Sequence, residues 1–239
     1  MSPSQDDNSL PCSKPPLAFQ RKIRSFVKRE SRMSRRQRTA IDLLFPLYGL
    51  QLTRQPLDFT KLFDRAAPTI LEIGFGMGNT LALMAQQNPG TNYIGIEVHR
   101  PGVGSLLATL QEYDIENVRV FCHDAIEVLE QSVPDESLDG IQIFFPDPWP
   151  KKRHHKRRLI QSSFINLLSE KLKTEATLHI ATDWENYAQW IDDILADKPR
   201  FLKLPKDTPH QRPTTKYEQR GLGLGHGVWD LIYIKESKI

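Results

Sequence analysis

The residues best suited to chemistry in this sequence form one run, in which an apolar segment ends at a carboxylate between two prolines. Asp147 lies within Pro-Asp-Pro-Trp-Pro at residues 146–150, and residues 151–158 then supply six basic side chains and two histidines. Because proline ends a strand and parallel sheets bind ligands at their carboxyl ends, we expect Asp147 at the rim of a site. Basic residues at this density suit a polyanion such as a phosphate backbone; a merely solvated loop is the alternative.

A second run joins an acidic residue to three closely spaced glycines. Glu72 precedes Gly74, Gly76 and Gly78, and Glu97 follows Gly78 by 19 residues. Glycines let the backbone turn tightly and approach a ligand, and an acid at that distance suits ribose hydroxyls. The acid in front of G-x-G-x-G opposes a pyrophosphate. It favours a cationic cofactor, S-adenosylmethionine, over NAD, and a glycine turn without a ligand is the third alternative.

A third carboxylate, Asp124, precedes a short predicted helix at residues 125–131. Aspartate is a preferred N-cap residue, so Asp124 is expected to cap that helix. A place in the cofactor site is compatible with capping, because both roles use the same position after a strand.

Alternating apolar segments must position these side chains. We predict strands at residues 69–73, 93–98, 118–122, 140–145, 177–181, 201–204 and 228–234, and helices at 80–87, 103–113, 125–131, 159–172 and 184–196. This order predicts an α/β fold: a doubly wound, seven-stranded, mostly parallel sheet with helices on both faces and an antiparallel last strand pair. Residues 43–52 are apolar but interrupted by Pro46 and Gly49, which indicates packing rather than a long helix.

The charge of the chain is unevenly distributed. The 239 residues carry a net charge of only +3, yet residues 14–38 contain ten basic side chains and one acidic side chain. We therefore divide the chain into a basic, partly disordered extension at 1–50 and a domain at 51–239. Two distant cysteines, no secretory signal and no bilayer-spanning apolar run favour a cytoplasmic protein without structural disulfides.

Taken together, five motifs resemble those of the bacterial tRNA (guanine-N7)-methyltransferases of the TrmB type, which have the class I methyltransferase fold. The resemblance runs in order from about residue 60 to about residue 235. Its motifs lie at residues 72–78, 95–99, 145–154, 182–184 and 214–221. The run at 145–154 is highly specific, whereas many methyltransferases share the glycine motif.

The resemblance implies a role for each matching position. The cofactor would be S-adenosylmethionine and the substrate tRNA, methylated at guanosine 46 of the variable loop to give 7-methylguanosine. Asp147 would be catalytic. The implied cofactor-binding residues are Glu72, Gly74, Gly76, Gly78, Glu97, Asp124 and Asp147, and the implied substrate-binding residues are Lys151, Asp183, Thr215, Lys216, Tyr217 and Glu218. Neither a metal ion, a membrane nor an obligate protein partner is expected.

Two other classes of function remain alternatives on the sequence alone. An NAD-dependent oxidoreductase would also use a glycine loop and a following acid, although Glu72 and the basic loop oppose it. A non-catalytic RNA-binding protein could retain the fold, although an intact glycine triad and Glu97 oppose that.

Overall fold

Strands and helices alternate along this chain, as short apolar segments separated by glycine and proline require. The computed structural model describes Ser25 and residues 32–210, 212–214, 218 and 227–237. The helices are α1 (Arg35–Tyr48), α2 (Phe59–Phe63), α3 (Asn79–Gln87), α4 (Arg100–Glu112), α5 (Ala125–Gln131), α6 (Ser162–Lys171) and α7 (Glu185–Ala196), with a 3₁₀ helix at Lys152–Arg157. The strands are β1 (Gly49–Leu50), β2 (Thr69–Ile73), β3 (Asn92–Ile96), β4 (Val118–Phe121), β5 (Leu138–Phe144), β6 (Leu172–Thr182), β7 (Phe201–Lys203) and β8 (Trp229–Lys235).

All of these strands join one sheet in the order β1-β4-β3-β2-β5-β6-β8-β7. The pairs from β1 to β6 are parallel, and β8 runs antiparallel to both β6 and β7. This architecture confirms the predicted fold class, and the two-residue β1 adds an edge strand beyond the seven expected. The strand order reverses at β2, which lies between β3 and β5, and ligands of doubly wound sheets bind at such a switch point.

Apolar side chains fill both faces of the sheet. One buried cluster joins α1, α3 and α4 to the sheet, and the other joins α5, α6 and α7 to the opposite face. The five predicted helices are present, each shifted by at most a few residues. Within the described residues, no helix combines the length and apolar character needed to cross a bilayer.

The sequence predicted no long helix at residues 43–52. That prediction was wrong, because α1 continues through Pro46 to Tyr48. A capping box starts this helix: the Ser34 side chain accepts from Gln37 N, and the Gln37 side chain accepts from Ser34 N. The helix then packs on α4, where a Cβ at Gly104 would lie 2.5 Å from Gln37 O. The missing side chain at Gly104 therefore allows α1 to pack closely on α4, and the domain boundary at residue 50 stays a prediction.

Candidate active site at the carboxyl edge of the sheet

A cavity of about 230 Å³ opens at the switch point of the sheet. Its lining includes Gly74 after β2, Glu97 after β3, Asp124 after β4 and Asp147 after β5. Four residues predicted from distant motifs are therefore brought together, because parallel strands end at the same edge. Ser25, which lies in the basic extension, also lines this cavity.

The glycine loop (residues 74–78) has a backbone that only glycine adopts easily. Gly74, Gly76 and Gly78 have φ angles of 79°, 59° and 80°. A Cβ at Gly74 or Gly76 would meet no atom within 4 Å, whereas a Cβ at Gly78 would lie 2.5 Å from the Leu106 Cβ. The first two glycines thus leave open space for a ligand, and the third allows close packing against α4.

The Glu97 carboxylate fastens the glycine loop to the end of β3. Its Oε2 accepts a hydrogen bond from Gly76 N at 2.9 Å, and its Oε1 accepts from Val98 N at 2.7 Å and His99 N at 2.9 Å. A carboxylate has about four acceptor positions, so Oε2 keeps one for a further donor. Binding of ribose hydroxyls by Glu97 remains a prediction that this geometry permits.

Glu72 is a buried acid at the end of β2. Its side chain is 2% exposed, and its Oε2 has no hydrogen-bond partner among the described residues. Burial, with a smaller contribution from the charge of Glu97, raises the pKa of Glu72 to about 8. Glu72 does not itself line the cavity, although the neighbouring Ile73 does. A nearby cationic group would stabilise the ionised form of this acid.

Asp124 caps α5, as predicted: its Oδ1 accepts from Ile126 N at 2.9 Å. The same residue lines the cavity, so the capping and cavity-lining positions coincide. Its predicted contact with the cofactor stays a prediction.

The Asp147 turn (residues 145–149) has a strained backbone. Phe145 and Trp149 have φ angles of 53° and 44°, and positive φ in a residue other than glycine costs on the order of 1–3 kcal/mol. Phe145 N donates to Ala181 O at 2.8 Å, which holds the entry to the turn. Asp147 itself is exposed at the rim.

Trp149 is packed at the exit of this turn. Its Nε1 donates to Ser25 O at 3.2 Å, and the Arg157 guanidinium lies 5.0 Å from its ring centroid. The indole thus contacts protein on two sides, and stacking on a base would require these contacts to change.

The basic run behind the turn forms the 3₁₀ helix, and most of its cations face solvent. Lys151 is exposed at the start of this helix. Partial burial and then the charges of Arg153 and Arg157 lower the pKa of His154, which favours the neutral imidazole. Arg158 departs from the expected pattern: the sequence places it among the surface cations, but its side chain is 2% exposed.

The predicted substrate-binding residues are only partly covered by the structure. Asp183 is exposed immediately after β6, while Thr215, Lys216 and Tyr217 lie outside the described residues. Glu218 is paired with Arg212: Nη1 donates to Oε2 at 2.5 Å and Nη2 donates to Oε1 at 2.9 Å.

Arg212 connects this glutamate to the end of β5, a link that sequence reasoning missed. Its guanidinium lies 5.6 Å from the Phe144 ring centroid and 5.4 Å from that of Phe145. No local motif marks Arg212, since its partners lie on other segments of the chain.

Asp230 lies beside His179 and His210, and these three residues offer metal-type donor atoms. His179 Nε2 is 2.7 Å from Asp230 Oδ1. However, Arg212 donates to both oxygens of Asp230, from Nε to Oδ1 at 2.9 Å and from Nη2 to Oδ2 at 2.8 Å. A metal ion here would face a guanidinium, so this cluster fits an ion-pair network better than a metal site.

Comparisons with known proteins show the family and the fold of this chain. Residues 66–231 match a family model described as "Putative methyltransferase". A tRNA (guanine-N(7)-)-methyltransferase of Legionella pneumophila (strain Lens) is 53% identical over 225 residues, which cover 91% of this chain and 100% of the relative. One from Idiomarina loihiensis is 52% identical over 220 residues, 90% of each chain.

Solved structures support the fold alone, since their sequence identities are low. The 16S rRNA methyltransferase KamB aligns with a TM-score of 0.54 at 12% identity, covering 78% of this chain and 99% of that one. An antibiotic-related methyltransferase aligns with a TM-score of 0.52 at 16% identity, covering 77% and 99%.

Proposed function

This chain belongs to the family of tRNA (guanine-N(7)-)-methyltransferases and is an enzyme that uses S-adenosylmethionine, and we propose that it methylates guanosine 46 in the variable loop of tRNA to give 7-methylguanosine. Membership of this family removes the NAD-dependent oxidoreductase and the non-catalytic RNA-binding protein from consideration. A cytoplasmic location and action without a metal ion or an obligate protein partner stay predictions.

One observation carries the proposed chemistry: Asp147 stands on the rim of the same cavity that Gly74 and Glu97 line. A methyl transfer requires the donor and the acceptor to meet in one place, and a substantial part of the barrier is removed by holding them together. The cavity joins the cofactor motif to the carboxylate beside the basic loop, so both reactants have a binding surface at one edge of the sheet.

The residues of the cavity fit S-adenosylmethionine. The open space at Gly74 and Gly76 admits a ligand beside the backbone, and the buried Glu72 suits an ammonium group. Glu97 would accept from the ribose hydroxyls and Asp124 would contact the adenine ring. The bound cofactor supplies an electrophilic methyl group on a positively charged sulfur.

Guanine N7 needs no general base, since it has an in-plane lone pair and carries no proton at neutral pH. The base gains positive charge as the new carbon–nitrogen bond forms, so a carboxylate held nearby stabilises the transition state electrostatically. We assign this role to Asp147, which lines the rim of the cavity. Arg212 holds both oxygens of Glu218, and we choose Asp147, which lines the cavity, for contacting the N1 and N2 hydrogens of guanine.

The exposed cations beside the Asp147 turn suit the tRNA backbone. Lys151 and the 3₁₀ helix present a basic surface next to the cavity, and phosphate contacts position a nucleic acid. N7 lies on the major-groove edge, which A-form RNA encloses in a deep, narrow groove, so the target nucleotide must lie in a loop or be locally opened. Asp183, Thr215, Lys216 and Tyr217 complete the proposed substrate contacts.

The test is methyl transfer to an unmodified tRNA transcript, followed by nucleoside analysis and mapping of the modified position. We expect 7-methylguanosine, and a transcript with adenosine in place of guanosine 46 should accept no methyl group. Equal methylation of the two transcripts would show that the target lies elsewhere.

A further inference from the structure

Arg158 is a buried cation in a place where a surface loop was expected. Its side chain is 2% exposed, and no carboxylate among the described residues forms an ion pair with it. Its Nη1 donates to no described atom. Burying a charge and an unsatisfied donor lowers the free energy of unfolding. Packing alone therefore does not explain why an arginine stands at this position.

The other donors of Arg158 bind the Asp147 turn and α7. Nε donates to Pro148 O at 2.9 Å, which is the carbonyl of the residue directly after Asp147. Nη2 donates to Asn186 Oδ1 at 2.7 Å, in the first turn of α7. The planar guanidinium thus connects the turn to a helix with a fork that a lysine does not provide.

Two aromatic rings of α7 hold the guanidinium in place. Its Cζ lies 4.8 Å from the Tyr187 ring centroid and 5.0 Å from the Trp190 ring centroid, distances at which cation–π attraction operates. Both rings are themselves anchored at Ile160: its N–H donates to the Tyr187 hydroxyl at 3.2 Å, and Trp190 Nε1 donates to its carbonyl at 2.8 Å. The guanidinium therefore packs against two rings whose positions are fixed by hydrogen bonds, and these rings form a platform on α7.

The strained Asp147 turn needs contacts from other elements to keep its shape. The positive φ angles of Phe145 and Trp149 persist only where surrounding contacts over-determine the backbone. The entry is held by the Phe145 N to Ala181 O bond, and the Arg158 bond to Pro148 O holds the segment between Asp147 and Trp149. Without Arg158 the backbone after Asp147 loses its donor and is free to relax.

We propose that Arg158 is a positioning residue that holds the Asp147 turn, and so aims the Asp147 carboxylate at the cavity; this inference rests on the proposed role of Asp147. Arg158 does not touch the reactants. It acts through the backbone of Pro148, from a platform on α7.

The experiment compares Arg158→Met and Arg158→Lys with the wild type in turnover, KM for tRNA, affinity for S-adenosylhomocysteine and melting temperature. The methionine fills much of the arginine's volume but leaves Pro148 O and Asn186 Oδ1 without this donor, so the melting temperature should fall, and the cofactor-binding fraction is therefore measured for each variant. The kcat of the methionine variant per cofactor-binding molecule should fall about 100-fold, the effect of a small displacement of a reacting group. KM for tRNA and cofactor affinity should stay within about twofold of wild type, and the lysine should restore kcat only partly.

A matched control is Arg65→Met. The Arg65 guanidinium makes three hydrogen bonds, to Asn92 Oδ1, Pro89 O and Thr91 O. None of these residues lines the cavity, and Asn92 begins β3, at the edge of the sheet opposite the cavity. Arg65→Met should lower the melting temperature without lowering kcat per folded molecule. If the two methionine variants lose kcat equally, or if Arg158→Met and Arg158→Lys both retain wild-type kcat, the proposal is overturned.

A double-mutant cycle with Asp147→Asn separates this inference from the proposed function. If Arg158 acts through Asp147, then Arg158→Met should cost much less turnover in the Asp147→Asn background than in the wild type. An equal loss in both backgrounds would overturn the positioning role while leaving the role of Asp147 intact. Full turnover by Asp147→Asn alone would instead overturn the proposed function of Asp147.

Discussion

The glycine loop and the Asp147 turn line the same cavity but maintain their shapes by different means. The glycine loop reaches positive φ angles at Gly74, Gly76 and Gly78, where no Cβ opposes them. The Asp147 turn reaches positive φ at Phe145 and Trp149, which resist it. The first shape is therefore intrinsic to its residues, whereas the second depends on contacts from other elements. Two halves of one site can thus differ in how much support they require.

The largest expected effect is at Asp147. Asp147→Ala should lower kcat about 100- to 1000-fold at saturating tRNA, as removal of one electrostatic stabiliser of a transition state does. The side chain is exposed, so the melting temperature should change little. Single-turnover methylation with saturating tRNA measures this, and near-normal turnover would remove Asp147 from the catalytic role.

Glu97 is the corresponding carboxylate of the glycine loop. Glu97→Ala removes the acceptor of three backbone N–H groups and should weaken binding of S-adenosylhomocysteine about 10- to 100-fold. Binding of tRNA should change much less, since the basic surface is untouched. Calorimetry with S-adenosylhomocysteine decides this, and unchanged affinity would mean that the loop keeps its shape without Glu97.

The glycine loop also lies directly against α4. A Cβ at Gly102 would lie 2.0 Å from Gly76 O, so Gly102→Ala must displace the loop or the helix. We expect a loss of about 1–3 kcal/mol in the free energy of unfolding, together with weaker cofactor binding. Gly90→Ala is the control, because a Cβ at Gly90 meets no atom within 4 Å. Equal stability of the two variants would show that the close approach is unimportant.

The effect at Glu72, next to the glycine loop, appears in how stability depends on pH. Burial, then the charge of Glu97, raises its pKa from 4.5 to about 8, so the folded protein keeps a proton that the unfolded chain has lost. The contribution of Glu72 to stability is therefore full below about pH 4.5 and declines by on the order of 1 kcal/mol per pH unit up to about pH 8.

Glu72→Gln, which is neutral at every pH, should remove this dependence. Without cofactor, its melting temperature relative to wild type should rise between about pH 5 and about pH 8 and then level off. Thermal unfolding across a pH series measures this difference. A constant difference would show that Glu72 ionises as readily in the folded protein as in the unfolded chain.

Much of the fold was readable from the sequence because its signals are local. Short β-branched and apolar segments between glycine and proline predicted the seven main strands and the five main helices, and the acid-glycine motif predicted a tight turn at the end of β2. The helix α1 was missed because Pro46 is a local signal against a helix. Gly104, on a helix more than fifty residues later in the chain, has no side chain and so allows α1 to pack closely against that helix.

By itself, the sequence determined which candidate residues come together: Asp147, Glu97, Asp124 and the glycines follow strands that must end at one edge. Only the tertiary structure decided what holds them. Arg158 reads as one more cation of a basic loop, yet packing buries it against Tyr187 and Trp190 and directs it to Pro148 O. A side chain's type and spacing describe what it is able to do, whereas its burial and its partners depend on segments far away in the chain.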